Sequence, residues 1–171
     1  MDKKKGKQFE QKHIIIKQIR QAQEILSNKG SSSFNFVEMD EMWSFVKNKK
    51  KRCWIWLAIC RFTKLVIGFV TGTRGKKTGK KLYDKIKDLD TKMYYTDYWE
   101  PYEKFLPKEK HIQSKKETYT VEGYNASFRD DLRRLTRKTR AYSKSQDMLN
   151  VSLNLYIAKH NQTKLNELLS I

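Results

Sequence analysis

Apolar residues recur along this chain first at helical and then at strand spacing. Ile15, Ile19, Ala22 and Leu26 stand at i, i+4, i+7 and i+11, which predicts a helix with one apolar stripe. The run Asn28-Lys29-Gly30-Ser31-Ser32-Ser33 stops that helix and reads as a linker. Three apolar runs follow at 34–46, 52–60 and 65–71, with turns at 48–50 and 61–64. Turns this short predict antiparallel neighbours. The second run, Arg52-Cys53-Trp54-Ile55-Trp56-Leu57-Ala58-Ile59-Cys60, is almost wholly apolar, as a strand in the middle of a sheet is. Leu82, Ile86 and Leu89 mark the buried face of a second helix. A fourth strand is predicted at 93–96 and a short helix at 101–106, opened by Pro101 and ended by Pro107. A fifth strand falls at 111–114. Val121, Tyr124, Phe128, Leu132 and Leu135 predict one long helix from about Tyr119. Leu149, Leu153, Tyr156 and Ile157 predict another within 143–171.

Three antiparallel strands, then helix, strand, helix, strand, helix, is the ribonuclease H-like order. The predicted class is therefore α/β (α+β): a mixed five-stranded sheet flanked by helices, with a short N-terminal helix and C-terminal helices. In that arrangement the first and fourth strands lie side by side and a later helix crosses their ends. The 171 residues divide into a basic helix and linker (1–33), the sheet domain (34–142) and a helical segment packed on it (143–171).

Charge narrows the choice of partner. Lys and Arg number 37 against 19 Asp and Glu, a net charge of +18. A chain this basic meets a polyanion, with an anionic membrane surface or an acidic protein as alternatives. No apolar run approaches the roughly 20 residues of a spanning helix, and residues 14–16 are too short for a signal core. A cytoplasmic protein is expected, with no membrane partner. Cys53 and Cys60 are seven apart and fall on opposite faces of one strand, so both read as buried thiols. Residues 73–81 look like a phosphate loop, but Gly75 to Gly79 is one residue too short for that pattern. They read instead as a basic loop with Thr78 near a helix start.

Three carboxylates stand out. Asp40 lies at the end of the run Phe34-Asn35-Phe36-Val37-Glu38-Met39-Asp40, and Asp97 follows the strand Tyr94-Tyr95-Thr96. Glu122 stands near the start of the long helix. Hard oxygen ligands on two neighbouring strands and one helix suit Mg²⁺, and two such ions suit phosphodiester chemistry. Each has a plainer alternative: a solvated strand edge for Asp40, a helix cap for Asp97, a dipole-favoured acid for Glu122. At about 100° per residue, Glu122, Asn125, Arg129 and Arg133 share one side of the predicted helix. Arg137 and Arg140 continue the row, with Lys138 beside them, as a grip for DNA backbone. Trp43 and Trp99 lie near the acids; base stacking and core packing are both open for them. His111 is a lone histidine at a strand start.

At these residues the chain resembles the transposases of the insertion sequence one (IS one) family. The matching pieces are Met39-Asp40-Glu41-Met42-Trp43, Thr96-Asp97-Tyr98-Trp99 with Pro101-Tyr102, and Glu122-Gly123-Tyr124-Asn125 with Phe128-Arg129. Arg134-Leu135-Thr136-Arg137-Lys138-Thr139 and Tyr142-Ser143-Lys144-Ser145 continue it. Asp97 and Glu122 enclose 24 residues, similar to that family's spacing. The resemblance covers about residues 34–161. It implies a DDE-type transposase in which Asp40, Asp97 and Glu122 bind two Mg²⁺ ions, with Mn²⁺ as substitute. It also implies cleavage at transposon ends and transfer of the freed 3′-hydroxyl to target DNA, in a bacterial, nucleoid-associated setting. Arg129 matches the basic residue after the Glu. Family members carry a zinc finger and a helix-turn-helix ahead of the catalytic domain, commonly joined by frameshifting. Neither pattern precedes residue 34 here, so an upstream-frame DNA-binding region is an expected partner. A homo-oligomer on DNA is expected because transposition joins two ends. The competing readings are a structure-specific nuclease on the same fold, a non-catalytic DNA-binding remnant or inhibitor of transposition, and an RNA-binding protein.

Overall fold

The computed structural model describes residues 3–31, 34–136 and 138–170, and side chains in the first helix from Ile14 onward. Its strands are β1 (Phe36–Val46), β2 (Asn48–Cys60), β3 (Val66–Gly72), β4 (Met93–Thr96) and β5 (His111–Gln113). They form one five-stranded sheet in the order β3-β2-β1-β4-β5. The β1–β2 and β2–β3 pairs are antiparallel, while β1–β4 and β4–β5 are parallel. The helices are α1 (Lys3–Asn28), α2 (Lys76–Ile86), α3 (Tyr119–Asp131) and α4 (Gln146–Ser170). This is the mixed, ribonuclease H-like sheet flanked by helices that the apolar pattern predicts.

The core is the two faces of β1, β2 and β3. Met39, Ile55, Trp56, Leu57, Ala58 and Ile59 are fully buried, as a central strand pair with helices on both faces requires. Cys53 and Cys60 are buried free thiols. On the face carrying Trp56, α2 comes close enough that a Cβ at Gly79 would lie 2.6 Å from Phe105 and 2.9 Å from Trp56. Gly79 is thus a packing glycine, and Gly75 is the extended residue that opens α2. On the other face, α3 meets α4 through Phe128 against Tyr156 and Tyr124 against His160.

The stripe Ile15, Ile19, Ala22 and Leu26 is buried, and α1 packs on α4. Gln18 donates to the Ala158 carbonyl at 2.8 Å to fix the pair. No described helix is long and apolar enough to cross a membrane.

Two expectations are corrected. The β1–β2 turn is not confined to 48–50: Lys47, at φ 68°, bends the chain between Val46 and Asn48, which pair, and 49–51 bulge out of register before Arg52 pairs with Phe45. The long helix predicted from Tyr119 stops at Asp131, where Leu132 turns extended and a 3-10 turn, Arg133–Leu135, follows. Asp130 and Asp131 put negative charge at the helix C-terminus, where the macrodipole disfavours it.

Strand β3 is an edge whose backbone is covered by α4. Asn161, fully buried, accepts the Val66 N–H at 3.0 Å and donates to the Val66 carbonyl at 3.0 Å. One amide side chain thus does what a neighbouring strand would do. Asn161→Ala leaves both backbone groups buried and unpaired. We expect it to cost about 2–3 kcal/mol in urea unfolding. A loss under about 0.5 kcal/mol would show that the edge is satisfied otherwise.

Candidate active site

The site begins with a spacing match between β1 and α3. Glu38 and Asp40 are two apart on β1 and project from one face. Val121 and Asn125 are four apart on α3, and the rise over four helical residues nearly equals that over two strand residues. Both pairs meet. Glu38 Oε2 accepts the Val121 N–H at 3.0 Å, and Asp40 Oδ2 accepts Asn125 Nδ2 at 2.6 Å. The other Glu38 oxygen accepts Arg61 Nε at 2.7 Å, and Arg61 also pairs with Glu117, ahead of α3, at 2.6 Å. A carboxylate on the central strand therefore seats the start of α3, one residue before Glu122.

Asp97 arrives by strand register. Glu38 pairs with Tyr95 in the parallel β1–β4 ladder; β1 runs on through Asp40, β4 ends at Thr96, and Asp97 follows it near enough for its charge to act on Asp40. Asp97 Oδ1 accepts the Trp99 N–H at 3.0 Å in a tight turn ahead of the 3-10 helix Glu100–Lys104. Glu122, exposed in the first turn of α3, accepts the Thr118 hydroxyl at 3.0 Å. Asp97 and Glu122 line one open cleft with Arg74, Tyr98, Trp99 and Lys115.

Acids crowd the middle of β1. The Asp40 carboxyl is pushed up to about 7, first by burial and then by the neighbouring charges of Glu41 and Asp97. Asn125 offsets only part of this. Glu41 points to the opposite face, where burial also raises it, while Tyr102 and Arg74 hold it down. Tyr102 donates to Glu41 Oε2 at 2.7 Å and Arg74 Nε to Oε1 at 2.7 Å.

Among the described residues, no three His, Cys, Asp or Glu side chains are grouped tightly enough to hold one ion as they stand. The charge of Asp97 acts on Asp40, and Asp97 and Glu122 share the cleft. The donor set nevertheless fits a hard divalent cation. It is all carboxylate oxygen, its Asp40 member carries repulsion that a cation would relieve, and the buried Oδ1 of Asn125 beside it meets no donor.

The remaining residues singled out in the sequence fall into two groups. Trp99 is half-buried, packs on Trp56 and Tyr102, and still lines the cleft. Trp43 is half-buried with the Arg52 guanidinium 5.1 Å from its ring centre. Arg129 is half-buried on α3, on the same helix as Asn125. Arg133 and Arg140 do not extend a helical row; with Arg134 and Lys144 they line a second, separate cleft. Lys138 is exposed, and Arg137 lies outside the described residues. His111 is bonded to Thr96 at 2.8 Å and sits against Tyr102. Sequence reasoning missed Glu38, Glu41, Arg74 and Lys115. The alternation of β1 held a signal for the first, since Glu38 shares the face of Asp40. For Arg74 the only sign was its place in a rejected phosphate-loop pattern.

The protein-family model described as IS1 transposase matches residues 34–163. The chain is 34% identical over 134 residues to the Insertion element IS1 4 protein InsB of Escherichia coli K12, covering 78% of this chain and 80% of that protein. It is 32% identical over 123 residues to the Insertion element iso-IS1n protein InsB of Shigella dysenteriae, covering 72% of this chain and 94% of that one.

The crowding at Asp40 predicts a pH-dependent stability cost. Its folded pKa of about 7 lies above the ordinary 3.8, so relative to asparagine it costs nothing below pH 4. The cost grows as pH rises and is complete above about 7. In metal-free buffer at pH 8 we expect Asp40→Asn to stabilise the fold by roughly 2–4 kcal/mol, with the gain vanishing near pH 4. Equal melting temperatures for the two proteins at pH 8 would contradict this.

Proposed function

The chain belongs to the IS1 transposase family, and from that premise we propose that it carries out the DNA chemistry of transposition: metal-dependent strand cleavage at transposon ends and transfer of the freed 3′-hydroxyl into target DNA. The observation that carries this reading is that Asp40, within β1, stands near enough to Asp97, just past the end of the neighbouring β4, for the Asp97 charge to act on it, with Glu122 lining one cleft with Asp97. Asp40, Asp97 and Glu122 would hold two Mg²⁺ ions, with Mn²⁺ as substitute; when bound, the ions activate the attacking oxygen and neutralise the leaving one.

The protein's own part is positioning. Asn125 orients the Asp40 carboxylate from α3. The Trp99 N–H fixes one oxygen of Asp97, and Thr118 steadies Glu122. Trp99, on the cleft wall, and Trp43 offer ring faces to unpaired bases. Arg129 follows Asn125 on α3, towards the site's DNA backbone. Arg133, Lys138 and Arg140, with Arg137, add positive charge for the flanking duplex. The proposed partners are transposon-end and target DNA, further copies of the chain on that DNA, and an upstream-frame region for end recognition. The proposed setting is the bacterial cytoplasm, on the nucleoid.

A second reading has one observation in its favour: no three described carboxylates are grouped to hold an ion as they stand. In that reading the chain is a non-catalytic DNA-binding remnant or inhibitor of transposition, served by its net charge of +18 alone. Asp97→Asn separates the two. On a plasmid carrying the element's own ends, with Mn²⁺, we expect this variant to lose strand joining by about 10³-fold or more, with DNA affinity within about 3-fold of wild type. Joining by the variant at the wild-type rate, or none by the wild type, favours the remnant.

A further inference from the structure

Arg74 is built into the cleft wall in a way that a solvated loop arginine is not. It sits between β3 and α2, in the segment whose glycine spacing excludes a nucleotide loop. Its Nε donates to Glu41 at 2.7 Å, and the Glu41 side chain is 1% exposed. The guanidinium lies 4.7 Å from the centre of the Trp54 ring and 4.5 Å from that of Trp99. The backbone beneath is fixed as well: Trp56 Nε1 donates to the Thr73 carbonyl at 3.1 Å, and the Thr73 and Thr78 hydroxyls share a hydrogen bond of 3.2 Å. Yet the Arg74 side chain remains 40% exposed, on the same cleft as Asp97, Glu122 and Lys115.

Ion pairing alone does not account for this. A buried carboxylate is costly unless paired, and Tyr102 already serves Glu41. A fold that needed only to silence Glu41 would bury the cation with it. Here the carboxylate takes the Nε edge, the two indoles flank the guanidinium, and the rest of the group is presented to the cleft. That is a preorganised fork, matched to the tetrahedral oxygens of a phosphodiester in a way a lysine is not.

We propose that Arg74 is a phosphate-binding residue of the cleft, held by Glu41 and by the rings of Trp54 and Trp99, and that it receives a backbone phosphate of the DNA strand entering between Asp97 and Glu122. Lys115, on the same wall, adds a second positive charge. The inference rests on the reading of this cleft as the place where DNA is cut, and it adds a residue on the sheet face opposite α3. DNA is then gripped from both sides of β1, by Arg129 on one and Arg74 on the other.

The test is binding of a short blunt DNA duplex followed by fluorescence anisotropy across a salt series, with Ca²⁺ in place of Mg²⁺. Arg74→Gln should weaken binding by about 10-fold or more and reduce the log–log salt slope by about 1. Lys87→Gln, an exposed lysine at the far end of α2, sets the effect of removing an uninvolved charge. Arg74→Lys should restore the slope but not the full affinity. Because Arg74→Gln strands a buried carboxylate, the pair Glu41→Gln with Arg74→Gln is measured as well, with thermal melting as the check of folding. A folded double variant with wild-type affinity and slope, or a change no larger than that of Lys87→Gln, overturns the proposal. Loss of the wild-type protein's Mn²⁺-dependent strand joining would bear on the transposase reading instead, and leaves this binding result standing or falling alone.

Discussion

The seating of α3 against the strands that carry the other acids depends on Glu38. It is fully buried in the central strand and joined to Arg61 on one oxygen and to the Val121 N–H on the other. A carboxylate at a helix start completes an orphan backbone donor and meets the positive end of the dipole. Here it also fixes where the helix sits. With Val121 seated on Glu38, Asn125 falls on Asp40 one strand repeat later, and Glu122 reaches the cleft edge. Arg61 ties the same carboxylate to Glu117 and so steadies the segment that leads into α3. Removing the Glu38 carboxylate would leave only the Asn125–Asp40 bond of these two to tie α3 to β1, and Glu122 would lose its fixed place relative to the strand-borne acids.

That frame holds charges that repel. Asp40 and Glu41 lie mid-way along β1 and Asp97 just past the end of the neighbouring β4, and the fold divides the partners of the first two by face. Asn125 serves Asp40 from the α3 side, while Arg74 and Tyr102 serve Glu41 from the α2 side. Both acids feel the charge of Asp97, after the end of β4. Neutral and cationic partners make the crowding tolerable without removing it: burial first, and then the neighbouring charges, still raise both Asp40 and Glu41. A protein with 37 Lys and Arg against 19 acids has ample positive charge to cancel such a cluster. None of it pairs with Asp40 in the ion pairs of the described residues. Unrelieved negative charge at a site bordered by basic residues is what divalent metal and a phosphate backbone together would balance.

Much of this was legible in the chain. Alternation and apolar runs revealed five strands and their order, because each strand's burial leaves a local pattern. The placement of β1 beside β4 followed from that order. The turn at Lys47 was not legible, since a lysine at positive φ has no composition signal of its own. The end of α3 at Asp131 was misread because Leu132 and Leu135 keep a helical spacing while leaving the helix; Asp130 and Asp131 were the contrary sign. Arg133 and Arg140 meet by way of a cleft beyond the helix, a contact no periodicity encodes. Arg74 and Glu41 are 33 residues apart on different elements, and only packing brings them together. The resemblance of Asp40, Asp97, Glu122 and their neighbours to a known family pointed to these three as the candidate site.

The central claim is that Asp40, Asp97 and Glu122 act as one metal site once DNA is present. The most direct measurement is an anomalous difference map from crystals of the protein with bound DNA and Mn²⁺. The account predicts one or two Mn²⁺ peaks ligated by these three carboxylates, with a DNA phosphate at the same position. A well-ordered complex in which the three carboxylates point apart, with no metal peak in the cleft, would contradict it.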